Sequence, residues 1–291
     1  MEIRVLRYFL TVAREENITK AANVLHITQP TLSRQLMQLE KELDAQLFIR
    51  GKHRLTLTDE GMLLKRRAEE IITLTHKMEK EFLNKDNMVH GEIFIGGGET
   101  RAMHSVSKVM KQFHELYPHV QFHIYSGNAD DVKEKLDKGL LDFGLLVEPV
   151  DIEKYDFIRL KEKDCWGALV LKESLLGQKE YLTPEDLINA SLLVSRRTIV
   201  RNEIASWAGV DFDKLNCVAT FNLVNNAAVM VEEGLGIALT IDKIIHLHND
   251  SKIKFIPFCP ELNVGNVIVW KKNQTFSQAS QKFLNMLKKV R

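Results

Sequence analysis

The first 58 residues carry an apolar pattern with helical spacing, interrupted by short polar turns. The clearest row consists of Leu32, Leu36, Leu39 and Leu43. Residues three and four apart share one face of a helix, so this row predicts a helix with one buried side. Thr28 precedes the row as a candidate N-cap, and Pro30 suits a first turn because its missing N–H costs little there. A shorter helix is predicted before it, with Thr19 as its candidate cap.

A different face of the predicted second helix carries hydroxyl, guanidinium and amide groups. Its members are Thr31, Arg34, Gln35 and Gln38. Two short helices joined by the turn His26-Ile27 fit a helix-turn-helix. Arg and Gln can grip base edges in the major groove with paired hydrogen bonds, which favours DNA as the partner. An ordinary solvated helix carries the same residue types, so the pattern alone leaves both interpretations open.

Two β-prone runs, residues 47–50 and 55–58, flank a basic turn that contains Gly51. We predict a β-ribbon wing in which basic side chains reach the DNA backbone or minor groove. These side chains are Arg50, Lys52, His53 and Arg54. A solvated loop is the alternative, but its position directly after a helix-turn-helix favours the wing.

Residues 59–87 predict one long helix, which Thr58 would cap. Apolar and small residues recur along it in steps of three and four: Gly61, Leu64, Ala68, Ile71, Thr75, Met78 and Phe82. Such a seam is typical of a coiled coil, and a helix of this length measures roughly 42 Å. We predict dimerisation through Leu64, Ala68, Ile71, Thr75, Met78 and Phe82. Packing of the helix within its own chain is the alternative.

From residue 90 onward, short β-rich runs alternate with amphipathic helices, which predicts an α/β body with parallel strands. The composition, 45% hydrophobic and 27% charged, excludes a disordered scaffold. Charge is unevenly divided along the chain. Residues 1–67 carry 12 basic and 8 acidic side chains, whereas residues 68–291 carry 28 and 31. This asymmetry is consistent with a basic head that meets a polyanion.

The head resembles a known family over roughly residues 1–65. The matching positions are Phe9, Ala13, Thr19–Ala22, Thr28–Gln35, Leu39-Glu40, Leu47–Arg50 and Leu57–Gly61. They resemble the N-terminal domain of LysR-type transcriptional regulators in order and spacing. By position, the resemblance implies major-groove contacts from residues 28–34, with Thr28, Gln29, Pro30, Thr31, Ser33 and Arg34 as the candidates, and wing contacts from residues 50–54. Gln35 and Gln38 join the predicted DNA-binding set because they lie on the polar face of the same helix. Asp44 replaces the family's usual glycine, a change that a left-handed helix end tolerates.

The resemblance implies a winged helix-turn-helix head, a linker helix, and a two-lobed α/β effector domain similar to type 2 periplasmic binding proteins. We expect a DNA-binding domain at 1–58, a linker helix at 59–89 and an effector domain at 90–291, with lobe I at about 91–163 plus 265–291 and lobe II at about 164–264. The implied function is a DNA-binding transcriptional regulator, a homodimer or homotetramer, controlled by a small molecule between the lobes. A head that docks a protein instead of DNA is the alternative.

Polar residues follow several predicted strands of the α/β body, where open sheets bind their ligands. We predict an effector site formed by Thr100, Ser126, Asn128, Ser195 and Asn222. Helix capping is an equally good explanation at each position. Arg196, Arg197 and Arg201 would balance an anionic effector, but ion pairs within or between subunits explain them as well.

The sequence shows no GxSxG, HExxH or kinase motif, so we expect no enzyme activity, no cofactor and no metal site. His119/His123 and His246/His248 lack a recognisable ligand frame. Cys165, Cys217 and Cys259 lie far apart, as expected of free thiols in a reducing compartment. With no apolar leader at the N-terminus, these observations lead us to expect a cytoplasmic protein.

Overall fold

The computed structural model of the chain describes residues 1–51, 55–82, 89–245, 247, 248 and 250–289. The side chains of Arg50 and Phe82 lie outside this description, as do the whole residues Lys52, His53 and Arg54. The chain divides into two compact units, Met1–Lys85 and Asp86–Arg291.

The first unit is a small helical head with a two-stranded ribbon. Its elements are α1 (Ile3–Glu15), α2 (Ile18–Val24), α3 (Gln29–Leu43), β1 (Phe48–Arg50), β2 (Leu55–Leu57) and α4 (Asp59–Phe82). Phe9 and Leu32, both fully buried, lie at the centre of its core. β1 and β2 pair in antiparallel register, so the predicted ribbon is confirmed within the described residues.

The ends of these helices test the predicted caps. Thr28 caps α3 by accepting the N–H of Thr31, and Pro30 lies in the first turn, both as predicted. Asp44 ends α3 in the left-handed conformation at φ 48°, which is also as predicted. The predicted cap at Thr19 is wrong, because the side chain of Asn17 accepts the N–H of Lys20 and starts α2 at Ile18. Asn17 offers the same capping chemistry two residues earlier.

The predicted apolar seam of α4 divides between two faces. Ala68 is fully buried in the core of the head and Leu64 packs partly against that core, so the first half of the seam faces its own chain. The prediction that Ala68 lies in a dimer interface is therefore wrong. Helix α1 covers this row, and Arg7 of α1 lies 3.7 Å from Glu79 of α4. A second apolar row stays exposed: Leu63, Ile71, Leu74 and Met78.

The second unit is an α/β structure. Its first half contains β3 (Gly91–Gly97), α5 (Met103–Leu116), β4 (Val120–Ser126), α6 (Ala129–Asp137), β5 (Phe143–Val147) and β6 (Tyr155–Leu171). Its second half contains α7 (Pro184–Ile188), β7 (Leu192–Ser195), α8 (Thr198–Ala208), β8 (Cys217–Phe221), α9 (Val224–Glu232), β9 (Ile237–Ile241), β10 (Ile253–Pro257), β11 (Asn263–Lys271) and α10 (Gln278–Leu287).

The long strand β6 connects two lobes of this unit. Its first part pairs with β11, from Tyr155 through Cys165, beside the parallel strands β5, β3 and β4. Its last part, from Trp166 onward, pairs with β9 and β10, beside β7 and β8. The strands therefore follow the order β4-β3-β5-β11-β6-β9-β7-β8, with β10 on β6.

Each lobe has its own core, because helices cover the faces of its sheet. Phe113, Phe143 and Phe283 form an aromatic cluster under α5 and α10 in the first lobe. In the second lobe, Leu187 of α7 and Ile204 of α8 pack on the buried strands β7 and β9. In both lobes, strands end at the space between the lobes, since Val147 ends β5, Ser195 ends β7, Ile241 ends β9, and all three line that space. Ligands of open α/β sheets bind at the carboxyl ends of strands. The two-lobed α/β fold class is as predicted.

Candidate functional site

Helix α3 has a buried side and a polar side, as its sequence predicts. Leu32, Leu36 and Leu39 are 0%, 4% and 1% exposed, while Leu43, at the end of the row, is 39% exposed. The residues predicted to meet DNA lie on the outside: Thr28, Gln29, Pro30, Thr31, Arg34 and Gln38 are exposed, and Ser33 and Gln35 are half-buried. Arg34 makes no hydrogen bond or ion pair with any residue that the structure describes. Its guanidinium is available to a partner.

Two features hold α3 in place against the rest of the head. Ala21 and Ala22 of α2 are buried, and their small side chains let α2 and α3 approach closely. Glu40 of α3 accepts the backbone N–H groups of Leu47 (2.8 Å) and Phe48 (3.3 Å), which fixes the start of β1 to the helix. This role of Glu40 was not predicted, since nothing in the local sequence distinguishes it from a solvated glutamate.

The other strand of the ribbon is attached to α4. Thr58 donates its hydroxyl to the carbonyl of Gln46 at 2.6 Å and accepts the N–H of Gly61 at 2.9 Å. The ribbon therefore lies between α3 and the start of α4, anchored at both ends. The positions predicted as the basic tip, Lys52, His53 and Arg54, and the side chain of Arg50 lie outside the described residues.

The second unit contains a cavity of about 130 Å³ between its two lobes. Three of the five predicted effector residues, Asn128, Ser195 and Asn222, line it. Ser195 ends β7 and Asn222 follows β8, both in the second lobe, whereas Asn128 follows β4 of the first. Trp166 and Thr240 line it as well, from the paired strands β6 and β9, and were not predicted. They lie within apolar strands, where sequence gives no sign of a ligand site.

The other two predicted effector residues, Thr100 and Ser126, line a neighbouring cavity of about 310 Å³. Thr100 is 9% exposed, and its hydroxyl lies 3.0 Å from the carboxylate of Asp164. Asn266 donates its amide to the same carboxylate at 2.8 Å. Asp164 and Asn266, 1% and 0% exposed, lie on β6 and β11, where the chain crosses between the lobes. This buried network, which was not predicted, joins the start of α5 to the crossover strands.

Capping accounts for much of the hydrogen bonding of the cavity's amide and hydroxyl residues. Asn128 caps α6 by accepting the N–H groups of Asp130 (2.9 Å) and Asp131 (3.1 Å). Its amide donates to the Asp131 carboxylate at 2.6 Å. Ser195 accepts the N–H of Arg197 at 3.3 Å. Both side chains are thus held in fixed positions beside the cavity, and their role toward a ligand stays a prediction.

Polar contacts bridge the two lobes beside this cavity. Arg196 lies 3.4 Å from Asp131, and Arg197 lies 3.4 Å from Asp130. On another side, the amide of Asn225 donates to both carboxylate oxygens of Glu99, at 2.9 and 3.0 Å. We call these contacts the interlobe clasp. Arg196, Asp131 and Asn225 lie outside the lining of the cavity, whereas Arg197 and Glu99 are part of it.

The three arginines whose roles the sequence left open therefore differ. Arg196 is 58% exposed and forms a surface ion pair, while the side chain of Arg197 is 9% exposed and lines the cavity. Arg201 donates to the backbone carbonyl of Arg196 at 3.0 Å and lies over the ring of Phe212. Only Arg197 of these three faces the cavity.

The described residues contain no group of three or more His, Cys, Asp or Glu side chains placed to hold a metal ion. None of their helices combines the length and the hydropathy that crossing a membrane requires.

Comparison with known proteins agrees with both halves of this description. Residues 3–62 match the family model of the bacterial regulatory helix-turn-helix protein, lysR family, and residues 86–291 match the LysR substrate binding domain. The uncharacterized HTH-type transcriptional regulator YvbU of Bacillus subtilis (strain 168) is 28% identical over 240 residues, 82% of this chain and 81% of that protein. The Bacillus subtilis HTH-type transcriptional regulator BsdA is 37% identical over 177 residues, 60% of this chain and 59% of that protein.

A solved structure has the same fold over the whole chain. CbnR, a LysR family transcriptional regulator, superposes with a TM-score of 0.77 at 18% sequence identity, covering 100% of this chain and 99% of that one. The resemblance found in the head thus extends through the two-lobed unit. The similarity to LysR-type transcriptional regulators that the sequence indicated is confirmed. The chain belongs to the LysR family of DNA-binding transcriptional regulators, with a helix-turn-helix head and an effector-binding domain.

Proposed function

We propose that this protein binds promoter DNA through α3 and the β1–β2 ribbon, acts as a homo-oligomer in the cytoplasm, and changes its DNA binding when a small molecule occupies the interlobe cavity. The observation that carries the proposal is the polar side of α3. It presents Arg34, Gln35 and Gln38 beside hydroxyl groups, while the apolar side of the helix is buried in the core of the head.

The chemistry of that side suits the major groove. Arg makes paired hydrogen bonds to guanine and Gln makes them to adenine, while hydroxyl groups bind base edges or phosphates. The exposed N-terminal residues of α3 are those that a recognition helix places against the bases. A further support is that the crystal structure of full-length CbnR, which has this fold, is a complex with its target DNA.

The exposed row on α4, which we call the α4 stripe (Leu63, Ile71, Leu74 and Met78), supports assembly with a second copy of the chain. At 100° per residue these side chains fall within a sector of about 80°. A stripe of this kind on a helix is normally covered by another element. Two copies joined through it would carry two heads, and the DNA site would then be an approximate inverted repeat.

The first experiment is to incubate the purified protein with sheared DNA from its source organism and sequence the retained fragments. We expect a small set of fragments that share an imperfect inverted repeat. Affinity for them should fall steeply with salt, because phosphate contacts release counterions. Uniform retention that disappears at moderate salt would refute sequence-specific binding. A head that retains no DNA and instead captures a protein would establish the docking alternative.

Arg34→Ala tests the role of the polar side directly. Loss of a base contact should cost about 1–3 kcal/mol on the retained site and less on other sequences. Lys214→Ala, which removes an exposed cation on the second unit, is the control and should leave DNA affinity unchanged. Equal loss on all sequences would make Arg34 a phosphate contact, and unchanged affinity would remove it from the interface. Competition binding against the retained fragment measures all three outcomes.

A further inference from the structure

We propose that the interlobe cavity takes a small monoanion with a compact apolar body, such as a monocyclic carboxylate, and that Arg197 binds its charged group. The inference rests on the proposed function, in which this cavity is the effector site. It adds the chemical class of the effector and the residue that selects for it.

Arg197 is a buried cation with weak partners. Its side chain is 9% exposed, and its Nε lies 3.4 Å from Asp130 without forming a hydrogen bond to any residue that the structure describes. Its Nη2 makes one long hydrogen bond, 3.4 Å, to the carbonyl of Pro149. Asp130 itself is 58% exposed, so water weakens this ion pair. A guanidinium has five N–H donors, and a buried one favours a well-placed anion.

The starts of two helices add positive potential at the same cavity. Helices α8 and α9 begin beside it, and their N-cap residues, Arg197 and Leu223, make no side-chain capping hydrogen bond. Backbone N–H groups in the first turn of a helix are unpaired and carry partial positive charge, which attracts anions. These helix ends and the buried guanidinium are independent features that favour the same charge.

The rest of the cavity is apolar and small. Its lining includes Leu145, Val147, Trp166, Val200, Phe221, Leu239 and Ile241. The volume of about 130 Å³ is close to that of an engineered apolar cavity of roughly 150 Å³ that binds benzene. A body of about six carbons therefore fits, with its charged group toward Arg197.

Two carboxylates limit the charge that the cavity accepts. Glu99 and Glu148 also line it, held by Asn225 and by Arg159 respectively. Their negative charge opposes a dianion or a phosphate, because each additional charge meets repulsion from these groups. A single negative charge at Arg197 is the arrangement that the lining favours.

The test uses the full chain and three probes with one ring and different head groups: benzoate, benzamide and benzylamine. Isothermal titration should show benzoate binding at least about tenfold more tightly than the other two, or about 1.4 kcal/mol. Benzamide binding as tightly as benzoate would overturn the selection by charge. Tighter binding of benzylamine would assign the site to cations at Glu99, and no binding of any probe at millimolar concentration would overturn the ligand class.

Variants test Arg197 as the selecting residue. Arg197→Gln should remove the preference for benzoate over benzamide. Arg196→Gln is the matched control, because Arg196 forms a similar interlobe ion pair but does not line the cavity, and it should keep the preference. Equal benzoate binding by wild type and Arg197→Gln would overturn the assignment.

Asp130→Asn keeps the proposal testable if the Arg197 variant fails to fold. Removing the competing carboxylate should tighten benzoate binding, whereas Asp131→Asn should not. Unchanged affinity in Asp130→Asn would refute competition for Arg197. The titrations need no DNA, so failure of the DNA-retention experiment with benzoate binding intact would refute only the proposed function. Retained DNA without benzoate binding would refute only this inference.

Discussion

The buried network at the crossover strands predicts a specific loss of stability in Thr100→Val. Valine keeps the shape of threonine but removes the hydroxyl that lies 3.0 Å from the Asp164 carboxylate. Asp164 is 1% exposed and, among the described residues, would keep only the amide of Asn266, at 2.8 Å, as a side-chain donor. A hydrogen bond to a charged group contributes about 1.5–3 kcal/mol, and a buried carboxylate that loses one cannot turn to water instead. We expect a loss of about 2 kcal/mol.

Tryptophan fluorescence measures this loss in the unit that contains the network. All three tryptophans, Trp166, Trp207 and Trp270, lie in the second unit, so unfolding of the head does not contribute to the signal. In a unit of this size, about 2 kcal/mol corresponds to roughly 4–8 °C in the unfolding midpoint. Thr100→Ser restores the hydroxyl and should recover most of the loss. A change below about 0.5 kcal/mol in Thr100→Val, or an equal loss in Thr100→Ser, would refute the reasoning.

Two further predictions concern the α4 stripe and a buried carboxyl. Leu74→Glu should shift the oligomer toward monomer in sedimentation velocity, because it places a charge in the α4 stripe. His76→Glu, on the opposite side of α4, is the control and should not cause this shift. Equal effects of the two variants would exclude the α4 stripe from the interface. Burial raises the pKa of Glu203 on α8, and its Oε2 has no hydrogen-bond partner among the described residues. The stabilising contribution of the protonated carboxyl is lost as pH rises through the raised pKa. Glu203→Gln should therefore be more stable than wild type at pH 7 and as stable as wild type near pH 3. Urea denaturation at both pH values measures the difference. Equal stability of variant and wild type at both pH values would contradict a buried charge at Glu203.

Much of the head could be predicted because its signals are local. The cap at Thr28, the proline after it and the leucine row lie within one segment of chain, and each agrees with the others. The incorrect cap at Thr19 shows the limit of such reasoning. Asn17 and Thr19 both have capping side chains, and the choice between them depends on where Ala21 and Ala22 must pack.

The prediction for Ala68 on α4 was wrong for a different reason. Helical periodicity identifies residues that share a face, but it does not state which element covers that face. The row with Leu64 and Ala68 and the stripe with Leu74 lie side by side on α4, and α1 covers the first of them. That choice depends on packing between segments more than 50 residues apart, such as Arg7 and Glu79.

The position of the interlobe cavity could be predicted from the sequence, but the charged residue that lines it could not. Carboxyl ends of parallel strands meet at one edge of a sheet, so the sequence placed Asn128, Ser195 and Asn222 together, and these three residues line the cavity. The role of Arg197 depends on Asp130 and Pro149 from the other lobe, at 3.4 Å each. The sequence does not contain these distances, so it could not show which of Arg196, Arg197 and Arg201 lines the cavity.

The interlobe clasp also explains how a bound ligand could change the arrangement of the two lobes. A ligand shifts a conformational equilibrium only by binding one arrangement more tightly than another. Under the proposed role of Arg197, its guanidinium either keeps Asp130 of the other lobe or binds the anion of the ligand. Asp130 is exposed and weakly held, whereas an anion inside the apolar cavity interacts at lower dielectric, so the exchange favours the ligand. Coupling of this kind is reciprocal. A change that strengthens the pair between Arg197 and Asp130 must therefore weaken ligand binding, and Asp130→Asn must do the reverse.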